Sequence, residues 1–296
     1  MNLWSSVGHD STSTGLPPFD SERLSRFESF AASLRPVFHR ADQVLRFRAY
    51  LRGLLEPCVR KNVESIAAAA AGSLMVEANL AQALQHFVSQ SPWDARRLVS
   101  ALRRGSEATR ADGEAVWVIH EAAFPKKGVH SVGVHRQFHR SAGRKLNCQI
   151  GVFVSQVGPA GYFPLAARLY LPGHWLKENP ELVEKCIPVE EDRRARSKVE
   201  IAFELIDELR SDGETPNAIV SESAAAADFA DGLKQRGLDL VEKDEPLAVV
   251  RSRVEWMKAE LGLDHFEGRT WLGWHHHVSL VFAAYYLLAS ESGYSI

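Results

Sequence analysis

Ala115-Val116-Trp117-Val118-Ile119-His120-Glu121-Ala122-Ala123-Phe124-Pro125-Lys126-Lys127-Gly128 is the stretch on which the reading of this chain turns. Its first five residues are uniformly apolar, a short run that suits a strand covered on both faces. Two more strands are predicted behind it, Asn147 to Val157 and Tyr162 to Leu171. Gly158-Pro159-Ala160-Gly161 between them is turn chemistry, so the pair reads as a hairpin. Farther along, Val199, Ala202, Phe203, Leu205, Ile206 and Leu209 recur at helical spacing and predict a helix over 198–209. A strand over 217–220, a helix over 229–236 stopped by Gly237, and a strand over 238–241 come next. Helices over 247–261 and 274–289 complete the series.

Upstream of Gly113 the pattern is helical. Leu24, Phe27, Phe30, Ala31 and Leu34 share a face that ends at Arg35-Pro36, and Val44, Phe47, Leu51, Leu54 and Leu55 form a second amphipathic run closed at Glu56-Pro57. Leu80 to Val88 is a third, followed by Ser91-Pro92-Trp93-Asp94, which reads as a helix start with a serine cap, proline at the first position and an acid in the first turn. Gly105 ends that helix. Residues 1–18 are rich in Ser, Thr, Gly and Pro and read as a disordered lead-in. The expected organisation is therefore a lead-in (1–18), an all-helical region (19–110) and a core (111–296). The order of that core is three strands, helix, strand, helix, strand, helix. With the first three strands antiparallel and the later ones parallel, this is the order of an RNase H-like, five-stranded mixed α/β sheet with flanking helices.

Composition narrows the function classes. Hydrophobic residues make up 45% of 296, enough for a proper core. No apolar run approaches a membrane span and no secretory signal is visible, so a cytoplasmic protein is expected. The three cysteines, Cys58, Cys148 and Cys186, lie far apart, which argues against both a disulfide framework and zinc spacing. Net charge is only -2, but it is unevenly spread. From Arg35 to Lys61 there are seven Arg/Lys against two acids, and from Lys126 to Gln149 six Arg/Lys, three His and no acid. Such stripes suit a phosphate backbone or a solvated surface; Arg46, Arg48 and Arg52, and Lys126, Lys127, Arg136, Arg144 and Lys145, are the candidate DNA contacts.

Two blocks carry a family resemblance. One runs Trp117-Val-Ile-His-Glu-Ala-Ala-Phe-Pro-Lys-Lys-Gly-Val-His-Ser-Val-Gly-Val-His-Arg-Gln-Phe to Phe138, followed by Asn147-Cys-Gln-Ile. The other is Glu260-Leu-Gly-Leu-Asp-His-Phe-Glu-Gly-Arg-Thr-Trp-Leu-Gly-Trp-His-His-His, ending at His277. Both resemble signature blocks of insertion-sequence DDE transposases, the first of which reads roughly I-D-D-T-x-F-P-K-K-G-x-x-S-V-G-V. Tyr50-Leu-Arg-Gly-Leu-Leu and Ala83-Leu-Gln-His-Phe-Val-Ser-Gln-Ser-Pro-Trp-Asp resemble the helical N-terminal region of the same family, so the likeness runs from about Tyr50 onward. It implies an RNase H-like core joined to DNA-binding helices, and two Asp and one Glu that hold two Mg²⁺ ions for in-line attack on a phosphodiester.

The resemblance also marks what has changed. The first family acid falls on Glu121, with His120 in place of the preceding Asp. The second falls on Glu222, in Ile219-Val-Ser-Glu-Ser-Ala-Ala, where alanines replace the usual Gly and Tyr. The third belongs to a Y-x2-R-x3-E-x6-K helix motif; anchored on Lys258, its place is taken by Arg251, with Leu247 at the Arg position and Asp244 at the Tyr position. Glu for Asp moves a carboxylate one methylene outward, and an arginine repels the metal that a third carboxylate would bind. Glu255, one turn beyond Arg251, is the substitute ligand within reach. The strand-rich insertion of this branch is missing near 242–246, which leaves the core able to close.

His275-His276-His277 cannot face one ion, because adjacent helical residues point about 100° apart, and so read as structural or DNA-contacting. Glu267 is expected to pair with Arg269 or cap the last helix, and Trp271 and Trp274 to pack in the core. The leading expectation is a DNA-binding, catalytically silent transposase derivative, recruited by a host or decaying. It would meet double-stranded DNA resembling a transposon end, sit with the nucleoid if it binds, and leave a homodimer open. The alternative is an active metal-dependent strand-transfer enzyme or nuclease using Glu121, Glu222 and Glu255 with Mg²⁺. A product with no present function is the third.

Overall fold

The computed structural model describes residues 16–58, 60–71, 79–110, 114–139, 143–222 and 227–291. Most of the expected lead-in, Arg140 and the 223–225 part of the second acid's motif lie outside the described residues. The first helices are α1 (Ser21–Ser33), α2 (Ala41–Leu55), α3 (Val63–Ala71), α4 (Leu80–Ser89), α5 (Ala95–Gly105) and the short α6 (Glu107–Arg110). Strands β1 (Val116–Pro125), β2 (His135–His139), β3 (Arg144–Gly158) and β4 (Gly161–Leu169) follow. The short helices α7 (Gly173–Glu178) and α8 (Pro180–Cys186) lead to α9 (Lys198–Ser211), β5 (Ile219–Ser221), α10 (Ala227–Gln235), α11 (Asp244–Leu261) and α12 (Trp271–Ala289).

The sheet is mixed, as the order of elements predicts, and the fold is RNase H-like. β3 pairs antiparallel with β1 along one edge, while β2 and β4 share its other edge, beside residues 144–148 and 151–158. β1 pairs parallel with β5, Trp117 opposite Ile219 and Ile119 opposite Ser221. Its five strands are not quite the five expected. β2 was unforeseen, whereas the strand expected over 238–241 is reduced to one parallel bridge between Ile219 and Leu240. Two backbone hydrogen bonds hold it, Ile219 N to Asp239 O and Val241 N to Ile219 O. Only Glu242 and Lys243 then separate that bridge segment from α11, so this part of the core closes without an intervening element.

Strand alternation sorts β1 and β3 onto two faces. Ile119, Glu121 and Val152 meet α9, while Gly151 and Phe153 meet Trp274 of α12. A Cβ on Gly151 would stand 2.8 Å from the Trp274 ring, so glycine is what lets the indole lie against the strand. Trp271 and Trp274 are both buried, as read from the sequence.

One hydrophobic cluster runs through the helical region and the sheet alike; α12 packs on both, and α5 also reaches the sheet, where Arg103 donates to Leu165 O of β4. The consecutive histidines of α12 each take a different neighbour. His275 Nδ1 lies 2.9 Å from Trp271 O, and its Nε2 accepts from Leu169 N of β4. His276 stacks on Trp93 at 3.7 Å and turns its ring nitrogens to the Val88 and Trp93 carbonyls. His277 takes the Tyr50 hydroxyl of α2 at 2.9 Å and reaches Gly262 O at 2.8 Å. Burial pushes the pKa of His276 and of His277 down to about 4 and that of His275 well below its ordinary value, so the rings are neutral. His275 and His277 each donate once and accept once, while neutral His276 has one N–H for its two carbonyls.

Two local expectations are corrected. The cap of α5 is Asp94, whose carboxylate accepts from Arg96 N and Arg97 N, while Ser91 is buried and accepts from Gln43. Glu267 pairs with Arg60 at 2.7 Å, and Thr270 caps α12. Among the described residues no helix is long and apolar enough to cross a membrane.

Candidate functional site

Parallel pairing of β1 with β5 brings two distant carboxylates together. Glu222 directly follows β5 and its N–H donates to Ile119 O at 3.2 Å, while Glu121 lies two residues farther along β1. Both line one small pocket, floored by Val152 and Ile119 and walled by Val199, Ala202 and Phe229. His120 points to the opposite face, where its Nε2 meets Ser155 Oγ at 3.0 Å and burial holds its pKa down at about 3. Alternation therefore turns the Glu121 carboxylate into the pocket and the His120 ring away from it, although His120 still lines part of its wall.

Each carboxylate already has a cation. Lys198, the first residue of α9, places Nζ 2.5 Å from Glu121 Oε2, and Arg251 of α11 places Nε 3.1 Å from Glu222 Oε1. The two carboxylates are 31% and 26% exposed, so solvent screens both pairs and they contribute little to stability. Their effect is on charge: Lys198 lines the pocket with the two acids, and Arg251 reaches Glu222 from outside its lining, so the charges there come close to cancelling. Glu255 does not line it; its carboxylate is 69% exposed and pairs with Lys258 at 2.8 Å.

A Mg²⁺ pair needs several oxygen donors at short, nearly octahedral distances. Here the donors are two ion-paired glutamates. Among the described residues no three His, Cys, Asp or Glu side chains gather in a way that would hold a metal. The residues as placed do not fit that metal pair.

The basic residues divide differently from the two stripes in the sequence. In α2, Arg46 pairs with Asp42 at 3.0 Å, Arg48 with Glu28 at 2.6 Å, and Arg52 with Glu56 at 2.6 Å. Arg52 also lies over the Phe19 ring. All three guanidiniums are engaged within the fold. Lys126 turns inward, donating to Phe266 O, and burial lowers its pKa to about 8.

Lys127, Arg136, Arg144 and Lys145 are instead exposed, on or beside the β2–β3 hairpin. Among the described residues none of these four forms an ion pair, with the 178–192 acids or any others. Arg136 and Lys145 fall on the α12 face of the hairpin and Arg144 on the Glu121 face. Asn147 donates to Lys126 O and Gly128 O, pinning the loop that carries Lys127 against the hairpin.

The RNase H-like sheet, with Glu121 midway along β1 and Glu222 just after β5, narrows the class of protein, and the comparisons with known proteins give the family. A family model described as DDE superfamily endonuclease matches residues 33–257, well over half of the chain. This protein belongs to that family. It is 28% identical over 142 residues to a probable transposase for insertion sequence element IS701 of Microchaete diplosiphon, a match covering 48% of this chain and 34% of that protein. The matched part is thus about a third of that relative's length. No solved structure matches.

Proposed function

We propose that this chain is a DNA-binding member of the DDE superfamily that does not cut DNA. The observation that carries the reading is the pairing of Lys198 with Glu121 and of Arg251 with Glu222. In this reading Glu121 and Glu222 stand at the first two family acid positions and Arg251 at the third. Two resident cations then offset the charge that would draw in Mg²⁺, Lys198 from within the pocket and Arg251 from its outer side. DNA binding is assigned to Lys127, Arg136, Arg144 and Lys145, which meet phosphates and so favour no sequence. The all-helical region, residues 19–110, supports the core and contributes Arg46, Arg48 and Arg52 mainly to its own ion pairs.

The alternative, an active metal-dependent strand-transfer enzyme, draws support from one observation: Glu121 and Glu222 still share a pocket. A plasmid assay separates the two. With Mg²⁺ or Mn²⁺ the protein is expected to retain plasmid on a filter and leave it supercoiled. Metal-dependent nicking that is lost in Glu121→Gln and Glu222→Gln would establish the enzyme instead.

A further inference from the structure

The α12-side face of the β2–β3 hairpin carries a ring that the fold does not use. Phe138 is 60% exposed, the only exposed large aromatic among the described residues. Register places it directly opposite Lys145, with Arg136 two residues away on the same face, opposite Asn147. The Asn147 side chain holds the Lys127 loop beside them. The other face of the hairpin already anchors it. Cys148 is buried there with Ala123 and Ile150, and the His135 ring lies 5.1 Å from that of His174. Phe138 therefore adds nothing to the core, and no acid lies between residues 126 and 149 to neutralise its neighbours.

We propose that Phe138 is a stacking platform for an unpaired DNA base, with Lys127, Arg136 and Lys145 taking the phosphates on either side. An aromatic ring bordered by cations offers a nucleotide both things it presents, a π-face and a negative charge. A base inside a duplex has both faces covered by its neighbours. The ring thus selects a single-stranded tail or a frayed end over intact duplex. This rests on the DNA-binding reading above and adds the kind of DNA that is preferred.

The test is fluorescence anisotropy with three labelled probes: a blunt duplex, the same duplex with a single-stranded thymine tail, and the same duplex with a tail of abasic sites. The two tails carry equal charge and differ only in their bases. Wild-type protein is expected to bind the thymine tail about ten-fold more tightly than the abasic one. Phe138→Ala should abolish that difference while leaving blunt-duplex affinity and melting temperature unchanged, and Phe138→Trp should keep it. Equal binding of both tails by wild type, or an undiminished preference in Phe138→Ala, overturns the stacking role alone. Failure to bind any probe overturns the DNA-binding reading with it.

Discussion

Lys198 Nζ lies 2.5 Å from Glu121 Oε2, although the two residues are 77 apart in the chain. Together with Arg251 against Glu222 this occupies the carboxylates from two sides. Calorimetric titration with Mg²⁺ or Mn²⁺ is expected to give no binding heat at physiological concentration. The double variant Lys198→Met, Arg251→Glu removes both cations and supplies a third carboxylate, and should gain Mn²⁺ affinity. Because both pairs are partly solvated, that variant should still fold. Metal binding by the parent protein, or none by the folded variant, would contradict the ion-pair account.

Salt dependence checks the hairpin. If Lys127, Arg136, Arg144 and Lys145 each meet a phosphate, log affinity should fall with log salt at a slope of about −3 to −4. Replacing all four by alanine should flatten the slope and weaken binding to every sequence alike. Lys126→Ala should change the slope little, because that ammonium is spent on Phe266 O. A quadruple variant that binds as well as the parent would remove the hairpin from the interface.

Acid should loosen the fold in a defined window. Burial depresses the folded-state pKa of His120 to about 3 and of His276 and His277 to about 4. In the unfolded chain histidine titrates near 6.5. Between these values the unfolded state binds more protons, so stability is full above about pH 6.5 and falls as pH drops toward 4. Each such histidine adds up to about 1.4 kcal/mol per pH unit to the slope. The melting temperature should be lower by roughly 5 °C or more at pH 5 than at pH 7.5. The double variant His276→Gln, His277→Gln should show a shallower dependence, and a flat profile in the parent would refute the neutral cross-links.

Gly53 sits inside α2 where α3 crosses it. A Cβ there would stand 2.5 Å from Ile66 O and 2.6 Å from Ile66 Cγ2. Alanine normally improves a helix by about 0.5–1 kcal/mol over glycine. Here the clash with a neighbouring backbone should reverse the sign, and Gly53→Ala should destabilise by about 1–3 kcal/mol in urea unfolding. A neutral or stabilising result would mean that the two helices part without cost.

Where the signal was local, the sequence was legible. The apolar run at 115–119, the Gly158–Gly161 turn and the helical spacing in 198–209 and 274–289 all lie in elements of the expected type. β2 escaped because His135-Arg-Gln-Phe-His has no apolar alternation; its inward positions are His and Gln. The strand expected over 238–241 does have the composition of a strand, but pairing reaches only Ile219. Arg46–Asp42 and Arg52–Glu56 are four-residue pairs that spacing on a helix could have revealed. Arg48–Glu28, Arg60–Glu267 and Lys198–Glu121 join separate elements, and no linear pattern announces them. Lys126 and Lys127 are neighbours in a basic run, yet only the fold tells the buried ammonium from the exposed one.

α12 also sets an order of assembly. Everything it clamps, from Tyr50 and Val88 to Leu169, precedes it in the chain. As the polypeptide leaves the ribosome, the helical region and the sheet must wait with their apolar faces open until residues 271–289 emerge. Completion of both is therefore a late event, and a chain interrupted before Trp271 would expose the surfaces on which aggregation and proteolysis begin.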